Sequence, residues 1–408
     1  MKTGLKVFRI AGIDIRLHYS WWLIFILLAW SLSTTYFPQP EVFPGAVKST
    51  YWVMGIIASL LLFISVLLHE LSHSLVAKFR KIKVESITLF FFGGVAGITK
   101  EKIKPSSEFM MAIAGPIFSL VLAGVFYLIF IIGINGAAAA IAKYLALLNL
   151  ILACFNLVPA YPLDGGRAFR AILYAYYKDL KKATRIASFG GKIFAIYMIM
   201  EGLFNLFGAV IIFPGGLWFL ILGVFLFIIA KGSYEQVVVD EALEQIKIRD
   251  LVQKKYPILN SEQTVSSFLK QYQNSGEESF IIEGNNFLGV LDINNINPLG
   301  KKINSIAKLK LLAVPLTKNS FISEHDSAEK VFGIFMQTNS DILPVLAREV
   351  SSNSQNKQSK NRSEIIGIVR KRDLLTRLKY ALKFKIGELK GSQVNTINNK
   401  KLRVEKMK

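Results

Sequence analysis

STYWVMGIIASLLLFISVLLHELSH, residues 49–73, is the stretch from which the rest of the chain can be read. From Ser49 to His69 it holds no Asp, Glu, Lys or Arg. A helix rises ~1.5 Å per residue, so about 20 such residues cross ~30 Å of hydrocarbon. The run therefore reads as a membrane span, yet it ends in His69-Glu70-Leu71-Ser72-His73. On a helix the two histidines lie one turn apart on one face, about 5–6 Å between Cβ atoms, close enough to grip one zinc ion. Glu70 projects beside them, where it can take a proton from water held at such an ion. The bland alternative is a helix end dipping into the headgroups. A charge in hydrocarbon costs on the order of 2.5–3.5 kcal/mol at the bilayer centre, less towards the ends, and a metal would turn that liability into a ligand set. Two of the chain's 4 histidines lie in this pentapeptide, which favours the metal.

The surrounding composition agrees with a membrane protein. Of 408 residues 52% are hydrophobic, with a mean hydropathy of +0.41. Three further runs, 109–142, 144–163 and 203–230, are free of charged residues. Six spans are expected, at about 19–36, 50–77, 109–133, 138–158, 191–209 and 215–230, the first flanked by Tyr19, Trp21 and Trp22 as interfacial anchors. The formal charge of +21 is concentrated in short loops. Lys2, Lys6, Arg9 and Arg16 precede the first span, Lys78 to Lys83 follow the second, and Arg167 to Arg185 follow the fourth. If the spans alternate, these clusters share one side, which places both termini in the cytoplasm of a cell-membrane protein and argues against a nucleic-acid partner. Residues 1–18 read as basic and only moderately apolar, without a cleavable signal. Cys154, the single cysteine, lies inside an apolar run and is expected to be a buried packing residue, with no intrachain disulfide open to it.

Two imidazoles leave zinc short of a third protein ligand, with a fourth position for water. Asp164 is the best candidate: it follows the fourth span directly, on the same expected side as His73. Pro159 and Pro162 break the helix there, and irregular backbone at that depth is tolerable only where protein or a watery cavity satisfies it. A simple turn at Asp164-Gly165-Gly166 is the alternative. The HExxH at His69–His73, the NxxPxxxLDGG from Asn156 to Gly166, and their order across several spans together resemble the site-2 proteases, intramembrane zinc metalloproteases, over about residues 1–230. The resemblance implies zinc held by His69, His73 and Asp164, Glu70 as catalytic base, and Asn156 near the substrate carbonyl or oxyanion. Gly93-Gly94 is similar to the family's glycine-containing membrane-inserted strand region, and Ala114-Gly115-Pro116 is expected to start the next span. A glycine-bearing strand at 84–98 would let an extended substrate add as a further strand; close helix packing or a turn is the plainer reading of those glycines.

Beyond Lys231 the pattern turns soluble. Residues 246–300 show a helix near 264–273 and strands Phe280–Glu283 and Phe287–Leu291. Residues 311–383 repeat that order, with a helix near 327–338 opened by an Asp326/Glu329 capping pair, strands Ile342–Leu346 and Ile365–Val369, and a helix near 371–383. SSNSQNKQSKNRS, 351–363, is a polar insertion, and 387–408 a basic tail. The two copies resemble a pair of CBS domains, which implies an adenosine nucleotide near Asp373 and its first-copy counterpart Asp292, regulation of the attached part, and a homodimer. The departures are that Arg370 stands where a hydroxyl residue is usual and that the segment Gly289–Asn295 lacks both usual groups, which leaves a purely structural or dimerising role as the alternative to nucleotide binding. His18, at the start of the first span, and His325, before Asp326, are expected to stand outside the chemistry.

The expected fold is thus a polytopic α-helical membrane protein of about six transmembrane helices with a C-terminal soluble α/β CBS pair. Its domains would be 1–232 for the membrane part, 246–300 and 311–383 for the two copies. Its implied partners are the lipid bilayer and transmembrane protein substrates. A CBS-regulated transporter, with intramembrane charges lining a pathway, is the rival class. It leaves the HExxH and the distant aspartate without an explanation.

Overall fold

The computed structural model describes residues 4–90, 93–98, 103–132, 136–208, 216–272, 275–284, 287–292, 307–317, 320–338, 340–346 and 365–383. The chain divides into two compact units, Met1–Val237 and Val238–Lys408. The expected insertion at 351–363 and tail at 387–408 lie outside the described residues.

The first unit opens with a hairpin, β1 (Leu5–Ile10) and β2 (Ile13–Leu17), where the sequence reading expected only a basic lead. Its turn is Ala11-Gly12, with φ of 48° and 79°. A tight turn with both central residues in the left-handed region matches the natural strand twist, and glycine makes it cheap. In β2, Ile13 and Ile15 face the core while Asp14 points out to Lys6 at 2.8 Å. Then comes α1 (Tyr19–Ser31), continued by a π-helical turn Leu32–Tyr36, and α2 (Lys48–Phe79). After α2 the chain returns as β3 (Val84–Phe90) and β4 (Gly93–Ile98). The sheet runs β1-β2-β3-β4, with β2 and β3 parallel and β4 an outer strand. Its inner face, Ile13, Ile15, Ile87 and Leu89, packs on Leu67, Leu71 and Ala77 of α2. That packing anchors the half of α2 that carries the histidines.

The remaining helices are α3 (Pro105–Ile131), α4 (Ala137–Asn156), α5 (Asp164–Tyr177), α6 (Leu180–Leu206) and α7 (Gly216–Glu244). Among the described residues α2, α3, α4, α6 and α7 are long and apolar enough to cross a membrane. The sixth expected span is α1 with its π-helical extension, whose 13 and 5 residues are continuous. Ala114-Gly115-Pro116 lies well inside α3 instead of starting it, because the helix begins at Pro105, where proline at the first turn lacks only an N–H that has no helical partner. Small residues set how closely the helices cross. A Cβ on Gly55 of α2 would fall 2.6 Å from the Ala29 carbonyl oxygen of α1, and one on Gly202 of α6 would fall 2.5 Å from the Leu220 nitrogen of α7. Cys154 is exposed on α4, contrary to the expected buried position. In a spanning helix the apolar face turned away from the protein meets lipid, so hydrophobicity alone does not report interior packing.

In the second unit the repeat has the expected order. The first copy is β5 (Ile258–Asn260), α8 (Val265–Tyr272), β6 (Ser279–Gly284) and β7 (Phe287–Asp292), joined by β8 (Val314–Pro315). The second is β9 (Ile322–Ser323), α9 (Ala328–Thr338), β10 (Ile342–Leu346) and β11 (Ile365–Arg370), followed by α10 over 371–383. In each, a parallel strand pair is followed by an antiparallel one. The helix expected to start at Asp326 is capped instead by Ser327, whose Oγ accepts from the Lys330 N–H at 3.2 Å. Asp326 closes the preceding turn by accepting from the Ser323 N–H at 2.8 Å.

The copies exchange their leading segments. Ile248 and Leu251, which precede β5 of the first copy, lie in the core of the second with Val331, Phe335 and Val369. Leu309 and Ala313, which precede β9 of the second, lie in the core of the first with Val265, Phe268 and Phe280. The sheets meet through Ile281, Val290, Ile342 and Ile368. Phe335 is fully buried, so Phe335→Ala should destabilise this unit by about 3–5 kcal/mol, read as an earlier thermal loss of its protease resistance in the full chain.

Candidate metal centre

The site forms where a continuous helix meets a broken one. α2 runs without interruption through residue 73, so His69 and His73 share a face and are 3% and 5% exposed. α4 stops at Asn156, and the chain passes through Pro159 and a cis Tyr161–Pro162 bond before Asp164 starts α5. Gly165 and Gly166 allow α5 to sit directly on this loop: a Cβ on them would fall 2.2 Å from the Leu157 oxygen and 2.1 Å from the Tyr161 nitrogen. The result aims the Asp164 carboxylate at both imidazoles. Its Oδ2 lies 3.2 Å from His69 Nε2 and 3.0 Å from His73 Nε2, and the two Nε2 atoms are 3.2 Å apart.

The far sides of both rings are held by α3. His73 Nδ1 lies 2.6 Å from the Met111 carbonyl oxygen, and His69 Nδ1 lies 2.9 Å from Ser119 Oγ. A carbonyl only accepts, so His73 Nδ1 carries the proton and a neutral ring presents its lone pair at Nε2. Such partners on the non-ligating nitrogen orient metal-binding histidines generally. Between Met111 and Ser119, Gly115 makes room: a Cβ there would stand 2.2 Å from His73 Nε2 and 2.7 Å from His69 Nε2. The other Asp164 oxygen faces Arg167 Nη1 at 3.8 Å.

These residues fit a zinc ion. Two imidazoles and a carboxylate are a common catalytic ligand set, and bonds of about 2.0–2.1 Å in a tetrahedron place donors ~3.3 Å apart. The three donor atoms, 3.0–3.2 Å from one another, have that spacing. Among the described residues this is the one group of three metal-ligating side chains so disposed.

Glu70, on the next position of α2, is half-buried and lies under β4: a Cβ on Gly94 would fall 2.4 Å from Glu70 Cγ. Gly93 serves the strand differently, through a φ of +133° with open space around it. Asn156 Nδ2 donates to the Leu152 carbonyl of its own helix at 3.0 Å. His18 caps α1, its Nδ1 accepting from the Ser20 N–H at 3.3 Å, and His325 is exposed beside Glu324 at 3.6 Å. Ser119 and the Met111 carbonyl were not singled out from the sequence. Their spacing with Gly115 along one face of α3 is the signal that the sequence does contain.

In the second unit the two carboxylates lie at separate cavities. Asp373 lines one of about 360 Å³ with Asp250, Thr376 and Tyr380, and accepts from Gln253 Nε2 at 2.8 Å. Asp292 lines another of about 470 Å³ with Asp341, Arg370, Lys371 and Lys379. Thr376 lines both. Arg370, at the position where a hydroxyl was expected, reaches Glu277 at 3.7 Å.

A candidate metal centre whose histidines lie on a helix able to span a membrane fits the class of membrane metalloproteases, and comparison with known proteins agrees. The family model for peptidase family M50 matches residues 57–136 and 133–199. The zinc metalloprotease MJ0392 of Methanocaldococcus jannaschii is 32% identical over 301 residues, spanning 73% of this chain and 80% of that protein. The Synechocystis sp. protein sll0528 is 36% identical over 304 residues, 72% of this chain and 78% of that one. A solved site-2 protease from M. jannaschii, 31% identical, covers 57% of this chain and 95% of its own with a TM-score of 0.40. The CBS domain of a bacterial CNNM/CorC family Mg2+ transporter in complex with ATP aligns at 12% identity over 36% of this chain and 96% of its own, TM-score 0.27. The chain belongs to peptidase family M50, the site-2 protease family, and is an integral membrane zinc metalloendopeptidase.

Because Gly115 alone leaves room for the two rings, Gly115→Ala should abolish stoichiometric zinc while helix content stays unchanged. Metal analysis and circular dichroism on the same purified sample check this.

Proposed function

We propose that the chain cleaves peptide bonds of transmembrane proteins at a zinc centre held by His69, His73 and Asp164, with Glu70 as general base. The observation that carries this reading is the convergence of Asp164 Oδ2 on both Nε2 atoms, from a segment 95 and 91 residues further along the chain. Zinc bound there would lower the pKa of a water towards ~7 and polarise the scissile carbonyl. Glu70 accepts the proton of the attacking water and passes it to the leaving nitrogen, a role worth about 10²–10⁴-fold in rate. His69 and His73 stay oriented throughout by Ser119 and Met111. Asn156, released from the Leu152 carbonyl, donates to the substrate carbonyl oxygen.

A transmembrane helix hides its carbonyls in i to i−4 hydrogen bonds, so cleavage requires an unwound segment. β4 supports a place for it. Among the described residues it is an outer strand, so its far edge would take an added strand, and Gly94 lets backbone pass close to Glu70. The basic loops favour a cell-membrane protein with both termini in the cytoplasm, and water reaching the centre from that side. The membrane-embedded domain takes 1–232 and the α/β copies 246–300 and 311–383. That pair acts as a CBS regulatory module and a homodimer contact. It binds an adenosine nucleotide at the cavities beside Asp373 and Asp292.

Purified protein incubated with a transmembrane-helix substrate should cleave it, and a zinc chelator should stop the reaction. Glu70→Ala should keep zinc and lose cleavage, and His69→Ala should lose the metal. Full proteolysis by Glu70→Ala rejects the assigned base, and ion flux without cleavage rejects the reading altogether.

A further inference from the structure

Arg170 is half-buried on α5 and used by nothing in the chemistry above. Its Nε donates to Glu108 Oε1 at 2.8 Å, and its Nη2 donates to the same oxygen. Its Nη1 donates to the Tyr161 hydroxyl at 3.2 Å, and the guanidinium lies over the Tyr161 ring, 4.7 Å from its centroid. The side chains of Glu108 and Arg170 are 4% and 16% exposed. One arginine therefore joins three pieces of chain: α3 through Glu108, the proline-containing loop through Tyr161, and α5 itself.

The placement of these pieces is specific. Arg170 follows Asp164 by six residues, about 9 Å along the same helix. Tyr161 is in the loop immediately before Asp164, so Arg170 grips the chain on both sides of the carboxylate. Glu108 begins the face of α3 that continues with Met111, Gly115 and Ser119, the residues that orient and admit the imidazoles. The partner that holds α5 and the partners that hold the histidines thus belong to one continuous helix. Charge-assisted bonds of this fixed planar geometry constrain direction as well as distance, which a lysine would not do.

We propose that Arg170 is a positioning residue for the metal: clamped to Glu108 and Tyr161, it holds α5 so that Asp164 completes the ligand set with the histidines. This rests on the metal-centre reading above. Loss of the clamp leaves the two imidazoles in place on α2 and frees the third ligand, so metal affinity falls without loss of the fold.

The test measures zinc affinity of the full-length protein in detergent by competition with a chelator. Cobalt substituted for zinc reports the ligand set through its visible spectrum. Arg170→Met should weaken zinc by about 10–100-fold, the range seen when supporting partners of metal ligands are removed, and should alter the cobalt spectrum. In an Asp164→Ala background the same change should cost nothing more, because its effect runs through Asp164. If Arg170→Met does not fold, Glu108→Gln, which keeps the volume and one acceptor, should weaken zinc in the same direction. An unchanged affinity in a folded Arg170→Met, or an equal loss with and without Asp164, overturns the clamp. Asp164→Ala that binds zinc as tightly as the parent overturns the metal-centre reading, and the clamp with it.

Discussion

A carboxylate facing two imidazoles out of water is the constraint around which the membrane unit is arranged. Asp164 is 8% exposed, and its Oδ2 is shared by both Nε2 atoms. Burying such a charge unpaired is expensive, and pairing it demands that segments far apart in sequence stop at one point. The continuous α2, the halt of α4 at Asn156 and the glycine-lined start of α5 all serve that meeting. The four-stranded sheet secures it from one side by packing on the half of α2 that bears the histidines.

α3 is the least conspicuous contributor and touches both histidines and Arg170. Its residues 108, 111, 115 and 119 lie along one face, and each does a different job: an ion pair, a backbone carbonyl, an absence of side chain, a hydroxyl. Two of those four contacts, a backbone carbonyl and a missing side chain, concern features that carry no chemical label in a sequence. This is why a site can be read from its ligands long before its supports are recognised.

The candidate ligands and the candidate base stood out in the sequence because chemistry restricts them. His69, Glu70, His73 and Asp164 are ionisable groups at the ends of charge-free runs, and the prolines before Asp164 announce broken backbone. The spans were legible from length and composition, and the α/β copies from their repeated order. Other features were hidden for physical reasons. The β1–β2 hairpin is short, and its basic residues obscure the alternation that Ile13, Ile15 and Leu17 carry. Cys154 was misjudged because a residue facing lipid and one facing protein are equally apolar. Ser327 outranks Asp326 as the helix cap because one residue of offset decides which side chain reaches the free N–H groups. Asp373 and Asp292, paired by repeat symmetry, open on different cavities because the segments that pack beside them differ.

The crossed leading segments of the α/β copies bear on how this part of the protein is made. The first copy cannot close its interior until Leu309 and Ala313 have left the ribosome, and Ile248 and Leu251 wait still longer for the second. Local pairing is thereby exchanged for contacts between distant residues, which slows folding. It also binds the halves into one cooperative body: removing either would leave a solvent-filled gap inside the survivor and strand two apolar side chains in water.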